Sequence, residues 1–374
     1  MWGAIRLVGV FVAVPIALYF FFFFKRAINL FFPNAKKAVL YSVSAVLGIL
    51  VGLTSTDIFG FPAVFVLHLM FFSLIVRFID LILKKIKNGT LEKSKIWQIL
   101  YRSGALALVF TLLLSAYGYY NLHNVVATNY VISTQKPIRD GGYRVILLAD
   151  VHYGVSVDDE ELVRICGEIE SLSPDVVVLC GDIVDNNTTR DQMKHFFSTF
   201  GAIESEFGTF YVHGNHDRPF SFAGFESEFS ESELISVIKN SGIRILTDET
   251  VDINGELLLV GREDLSARSR MPIDKLLENA PDGRFILTLD HQPRDYDRIA
   301  ASKTDLVLSG HTHGGQIWPI GQVQELFNMN DEVYGHGFYD RDTQFIVTSG
   351  FAGWKYPIKT AAKAEYVVVD IENS

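Results

Sequence analysis

The chain has 374 residues, 49% of them apolar, with a mean hydropathy of +0.22 and two cysteines. These figures exclude a globally disordered chain, a disulfide scaffold and a cysteine-rich zinc module. The net charge of −10 is unevenly spread: residues 1–122 hold 12 basic and 3 acidic residues, whereas residues 123–374 hold 21 and 40. The acidic part would repel a phosphate backbone, so nucleic acid is not an expected partner. The basic, apolar N-terminal third fits a lipid bilayer.

Four apolar runs occupy that third: Leu7 to Phe24, Ala38 to Leu53, Ile58 to Val76, and about Ser103 to Tyr120. A hydrocarbon core of about 30 Å takes roughly 20 residues of helix, so each run is read as a span. Lys25 and Arg26, not a small-residue cleavage site, follow the first run, which argues for a span over a signal peptide. The fourth run ends in Tyr117, Tyr119 and Tyr120, which suit the interface. The loop after the first run carries Lys25, Arg26, Lys36 and Lys37, and the loop after the third carries Arg77, Lys84, Lys85, Lys87, Lys93, Lys95 and Arg102. Both are expected to be cytoplasmic, which places the termini and the rest of the chain outside the cytoplasm. Asp80 with Lys84 reads as an interfacial pair, and His68 as a packing residue.

Residues 123–142 read as a polar linker between a transmembrane domain (1–122) and a second domain (143–374). Beyond it, buried strands are expected at Tyr143 to Ala149, Asp175 to Cys180, Thr209 to Val212, Arg284 to Leu289, Asp305 to Leu308, Thr343 to Thr348 and Glu365 to Asp370. Helices are expected at Asp158 to Ser171, Asp191 to Glu206 and Glu231 to Asn240, and Asn254-Gly255 signals a hairpin within Val251 to Val260. The fold class is thus an N-terminal α-helical transmembrane bundle of about four helices followed by an α/β sandwich with a mixed sheet.

Polar clusters sit at the C-terminal ends of five of these strands: Asp150/His152, Asp182/Asp185, Asn215/His216, His291 and His311/His313. Such ends converge on one rim in α/β folds. Oxygen and nitrogen donors of this kind suit Mn²⁺, Fe²⁺, Zn²⁺ or Co²⁺. About seven side chains are too many for one tetrahedral ion and fit two ions sharing a carboxylate. Two ions roughly 3.5–4 Å apart suit phosphoryl transfer, because together they hold the phosphate and an attacking water in line.

Asp150-Val-His152, Gly181-Asp182-x-x-Asp185, Gly214-Asn215-His216-Asp217, His291 and Gly310-His311-Thr312-His313 resemble, in order, the signature blocks of the calcineurin-like metallophosphoesterases. The resemblance covers about residues 143–371. It implies a two-sheet sandwich flanked by helices and two divalent ions. It also implies that Asp150, His152, Asp182 and His313 hold the first ion, and that Asp182, Asn215, His291 and His311 hold the second. His216 matches the family's catalytic histidine, Asp217 would orient it, and Asp185 would support the ligands. Gly314-Gly315-Gln316 and the segment from Ser349 to Lys359 resemble the membrane-fused branch, in which arginine frequently stands where this chain has Lys359.

The function expected on this basis is hydrolysis of a phosphoester or pyrophosphate bond. The membrane setting makes a lipid or lipid-linked phosphate a natural substrate, and the family includes enzymes that cleave UDP-diacylglucosamine. The alternatives are a tethered phosphatase of soluble substrates and a non-catalytic metal-binding scaffold. A transporter is disfavoured because the runs carry almost no polar residues to line a path. His213, Cys166 and Cys180 read as structural, and His195 and His336 as surface. Arg262, Arg268 and Arg270 read as solvated candidates for anion contact. Phe220, Phe222, Phe225 and Phe229 read equally as a substrate lip or as core.

Overall fold

A computed structural model describes residues 2–58, 60–86, 93–154, 156–218, 227–340 and 342–374, with side chains from residue 9 onward. Phe220, Phe222, Phe225 and Lys87 lie outside the described residues. The chain forms two units, Met1–Gly118 and Tyr119–Ser374.

The first unit contains α1 (Trp2–Phe31), α2 (Lys37–Thr54), α3 (Phe61–Lys85), α4 (Lys95–Ser103) and most of α5 (Ala105–Leu122). Four helical segments, Gly9–Phe31, Lys37–Thr54, Phe61–Lys85 and Ala105–Leu122, are long and apolar enough to cross a membrane. They overlap the four runs, but α1 and α3 continue beyond theirs, so Lys25, Arg26, Arg77, Lys84 and Lys85, expected in loops, lie in helix. Small residues let α1 and α2 approach closely. A Cβ on Gly48 would sit 2.6 Å from the Ala17 carbonyl oxygen, and one on Gly52 2.7 Å from that of Ala13. The amphipathic helix α4 falls in a stretch read only as a basic loop. It is nine residues long and mixes Lys95, Gln98 and Arg102 with Ile96, Trp97 and Ile99, too short and too polar for a hydropathy window to find.

The second unit contains two six-stranded sheets. In chain order its elements are β1 (Val126–Thr134), β2 (Tyr143–Leu148), α6 (Asp159–Ser171), β3 (Val176–Cys180), α7 (Arg190–Phe200), β4 (Thr209–Val212), α8 (Glu231–Asn240), β5 (Arg244–Ile245), β6 (Glu249–Ile253), β7 (Leu257–Gly261), α9 (Ile273–Leu276), β8 (Phe285–Leu289), α10 (Tyr296–Ala300), β9 (Leu306–Ser309), α11 (Ile320–Leu326), β10 (Gly335–Phe338), β11 (Gln344–Val347) and β12 (Glu365–Asn373). The sheet orders are β1-β12-β2-β3-β4-β5 and β10-β11-β9-β8-β7-β6. Strands β2 to β5 run parallel, as do β7, β8, β9 and β11.

The period-two alternation of each strand builds two layers of core. Val145, Leu147, Val176 and Val178 face Leu257, Leu259, Leu287 and Leu306 between the sheets. Ile146, Leu148, Val177 and Leu179 face outward onto Leu162, Ile165, Met193, Phe196 and Leu234 of α6, α7 and α8. Each of these large side chains contributes about 1.5–3 kcal/mol by leaving water. The helices start where the sequence allows: Asp158 accepts from the Glu161 N–H at 2.8 Å, and Thr189 and Gln192 form a reciprocal capping box.

The stretch expected as a linker contains β1, which pairs in parallel with β12 over its full length. The misreading has a physical cause. The strand lies at a sheet edge, alternates exposed and half-buried positions, and includes Thr128 and Asn129, so it lacks the apolar run of its neighbours.

Candidate metal centre

Strands β2, β3, β4, β8 and β9 each end in a turn that carries the expected polar residues. The backbone there is unusual. Asp150, His152, Asp182, His311 and His313 all have positive φ, between 41° and 70°, and make up five of the twelve non-glycine residues with that conformation among the described residues. Side chains rarely tolerate this region, and such outliers gather where geometry serves a site. Glycine opens the space they need. A Cβ on Gly310 would lie 2.6 Å from Asp150 Oδ2, and Gly214 leaves room for the Asp182 carboxylate.

The turns bring two sets of donors together. Ligand atoms of Asp150, His152 and His313 lie within 4.8 Å of one another, as do those of Asp182, His291 and His311. His152 Nε2 approaches Asp182 Oδ2 at 4.0 Å, so the sets are adjacent. Asn215 is half-buried beside them, with its Oδ1 buried and unpartnered. Tautomers are fixed from outside. His291 Nδ1 donates to the Cys180 carbonyl at 2.8 Å and His313 Nδ1 to that of Ala352 at 3.3 Å, leaving each Nε2 to face inward. His291 Nε2 is buried without a hydrogen-bond partner, 3.1 Å from Asp182 Oδ2. His152 Nε2 and His313 Nε2 face each other at 3.3 Å.

Electron pairs that converge in a dry pocket without donors to meet them are the condition a divalent cation relieves. The donor set, three carboxylate or amide oxygens and four imidazoles, matches hard-to-borderline ions. The residues therefore fit two such ions.

The charge states of the ion-free protein agree. Burial, aided by the charge of Asp182, raises the Asp150 carboxyl to about 6. Burial would also raise Asp182, but the nearby charge of His291 outweighs it and holds Asp182 well below the usual carboxylate range. His291 is correspondingly held well above its ordinary value by Asp182, against the opposing effect of burial. Burial lowers His311 to about 4 and also lowers His216 and His313.

His216 lies at the rim, its ring centroid 5.4 Å from that of His152 and 5.1 Å from that of Trp354. Its backbone N–H donates to Asp182 Oδ1 at 2.7 Å. Asp217 differs from expectation. Its carboxylate does not orient the His216 ring; it accepts from the backbone N–H groups of Asp182, Ile183, Val184 and Gly214 at 2.7–3.0 Å. Four main-chain donors saturate it, so Asp217 ties the β3 and β4 turns together. Asp185 lies 3.6 Å from His152 Nδ1, where it supports that ring.

Several other side chains have roles that distance in sequence concealed. Lys359 is fully buried and donates to the carbonyls of Ser349, Gly350 and Ala352, the loop that packs on Asp150. Burial lowers its ammonium to about 8. The buried Glu365 accepts from the Ser349 N–H at 2.9 Å, and Gln316 donates to the Tyr356 and Ile358 carbonyls. Asn121, in the last turn of α5, donates to the Lys359 and Ala362 carbonyls at 2.8 and 2.6 Å. Arg262 and Arg270 are not solvated anion contacts; both pair with the buried Asp290. Arg268 is exposed. Phe229 is core, His213 is buried against Tyr211, and both cysteines are free thiols.

Residues 143–315 match the family model for calcineurin-like phosphoesterases. A "transmembrane protein with metallophosphoesterase domain" from Danio rerio is 30% identical, over 71% of this chain and 62% of its own length. An uncharacterized metallophosphoesterase from Helicobacter pylori is 33% identical, over 60% of this chain and 59% of its own. The UDP-2,3-diacylglucosamine pyrophosphatase LpxG of Chlamydia trachomatis is 25% identical, over 57% of this chain and 79% of its own. The chain spans about three fifths of the length of the Danio and Helicobacter relatives.

Proposed function

The chain belongs to the calcineurin-like phosphoesterases, and from that premise we propose a membrane-anchored di-metal hydrolase that cleaves a phosphoester or pyrophosphate bond of a lipid or lipid-linked substrate. The observation that carries the reading is the pair of adjacent donor triads with unpartnered buried atoms between strand ends. Asp150, His152 and His313 would hold one ion, Asn215, His291 and His311 the other, with Asp182 shared. Ions of the Mn, Fe, Zn or Co type would supply charge for the phosphate oxygens and an activated water.

The chain's own residues do the rest. His216, at the open side of the cluster, hydrogen-bonds the phosphate and passes a proton to the leaving oxygen. Burial lowers its pKa from the ordinary imidazole value. Asp217 and Lys359 keep the ligand turns in place by saturating and bracing the main chain. Trp354 beside His216 forms one wall of the approach.

Two features support a lipid substrate. The segment from α11 onward, downstream of His313, exposes Val323, Leu326, Phe327 and Met329, with Leu326 76% and Phe327 70% exposed. The name of the Chlamydia relative describes cleavage of a lipid-linked pyrophosphate. With four spans and both basic loops inside, the catalytic unit lies on the extracytoplasmic side.

The test is hydrolysis of bis-p-nitrophenyl phosphate and p-nitrophenyl phosphate, and of a micellar long-chain alkyl p-nitrophenyl phosphate, by the detergent-purified full chain with Mn²⁺. Turnover that His216→Ala lowers roughly a hundredfold with bound metal unchanged supports the proposal. Preference for the micellar substrate supports the lipid reading, and preference for the soluble one assigns a tethered phosphatase. Metal binding without turnover of either would leave a scaffold.

A further inference from the structure

A cavity of about 430 Å³ in the N-terminal unit is lined by Tyr19, Phe22, Phe23 and Arg26 of α1, Arg77 of α3 and Tyr101 of α4. Two guanidinium groups and four aromatic rings line it, and no carboxylate does. Arg26 is held in place: its Nε donates to the Arg102 carbonyl at 3.3 Å, and its Cζ lies 4.5 Å from the Tyr101 ring centroid and 5.3 Å from that of Phe23. Its terminal nitrogens and the whole Arg77 head have no acceptor among the described residues. The acid nearest to Arg77 in sequence, Asp80, is engaged by Lys84 at 2.6 Å and by the Trp97 indole at 3.0 Å, so it does not serve as counter-ion.

Both arginines belong to helices long and apolar enough to cross a membrane. Arg26 lies five residues before the end of α1 and Arg77 eight before the end of α3, about 8 and 12 Å at 1.5 Å per residue. That depth is near the headgroup level, where an unpaired guanidinium draws an anion to itself. We infer that this cavity binds the phosphate headgroup of an anionic membrane phospholipid. The two guanidiniums clamp the phosphate, Tyr101 closes the polar end, and the acyl chains run along the outward-facing Leu18 and Phe22 of α1. Guanidinium suits this task because its planar fork meets two phosphate oxygens at once. The site is separate from the metal cluster and needs no assumption about the reaction.

The full-length protein, purified in detergent, is supplied with phosphatidylglycerol, phosphatidylcholine or inorganic phosphate, and retained lipid is read by native mass spectrometry beside thermal unfolding. The inference predicts that phosphatidylglycerol is retained and raises the midpoint while phosphatidylcholine does neither. Arg77→Gln should lower retention roughly fivefold, since one basic residue near a charged headgroup contributes that much. Arg77→Lys, which keeps the charge on the same fold, should lie between the two. Turnover of a soluble phosphodiester should be unchanged in both variants. Equal retention of the two lipids, or unchanged retention in Arg77→Gln, would overturn the inference. Inorganic phosphate reproducing the full shift would assign a free-anion site and overturn the lipid reading.

Discussion

Buried carboxylates occur in both units, and they are answered in opposite ways. Asp80, in the N-terminal unit, is fully buried and meets Lys84 and the Trp97 indole. Asp150 and Asp182, also buried, meet backbone N–H groups on one side and imidazoles on the other, with unpartnered His291 Nε2 and Asn215 Oδ1 beside them. Asp217, only two residues from Asn215, has four main-chain donors. Burial alone therefore does not mark a functional carboxylate. A carboxylate whose charge is consumed by the protein is a brace, and one that converges with further electron pairs on a shared space is a ligand.

Substitutions that exchange these conditions test the distinction, and the largest effect belongs to the shared ligand. Asp182→Asn should lower turnover on the order of a thousandfold and reduce bound metal, read by elemental analysis alongside kinetics. Asp217→Ala should act chiefly on folding. It strips acceptors from four buried N–H groups at about 1–3 kcal/mol for each one left unsatisfied, so the catalytic unit should lose roughly 4 kcal/mol or more in thermal or denaturant unfolding.

Protons compete with the ions. Because Asp150 in the ion-free protein titrates at about 6, the carboxylate is free to ligate above that value and protonated below it. Metal retention after dialysis should fall as pH drops through about 6. The smallest effect is expected at Asp80→Asn, which keeps shape and indole acceptor but loses the Lys84 pair. It should cost about 1 kcal/mol and leave metal content and turnover untouched. A loss of metal there would erase the contrast between the two kinds of carboxylate.

The sequence displays the candidate ligands and conceals their supports, for a definable reason. Asp150, Asp182, Asn215, His291 and His311 each follow a short apolar run that reads as a strand, so chain order alone carries them to one rim. Lys359 gave no such signal. Its three acceptors are carbonyls, which every residue possesses, and the loop they form is defined only in the folded chain. Asn121 is the extreme case, joined to a loop 238 residues away. Asp217 was visible as part of a motif, but its position beside His216 suggested an orienting role that the backbone donors pre-empt. In the N-terminal unit hydropathy finds four spans, while α4 there and the β1 edge strand of the second unit give no such signal because half-exposed elements dilute the apolar pattern.

Unpartnered donors at the strand ends are proposed to hold two divalent ions with Asp182 between them. Metal stoichiometry of the purified full-length protein, wild type and Asp182→Asn, tests this proposal most directly. Two ions per chain are expected in the wild type and fewer than one in the variant. One ion per chain, or two that survive the Asp182 substitution, would contradict it.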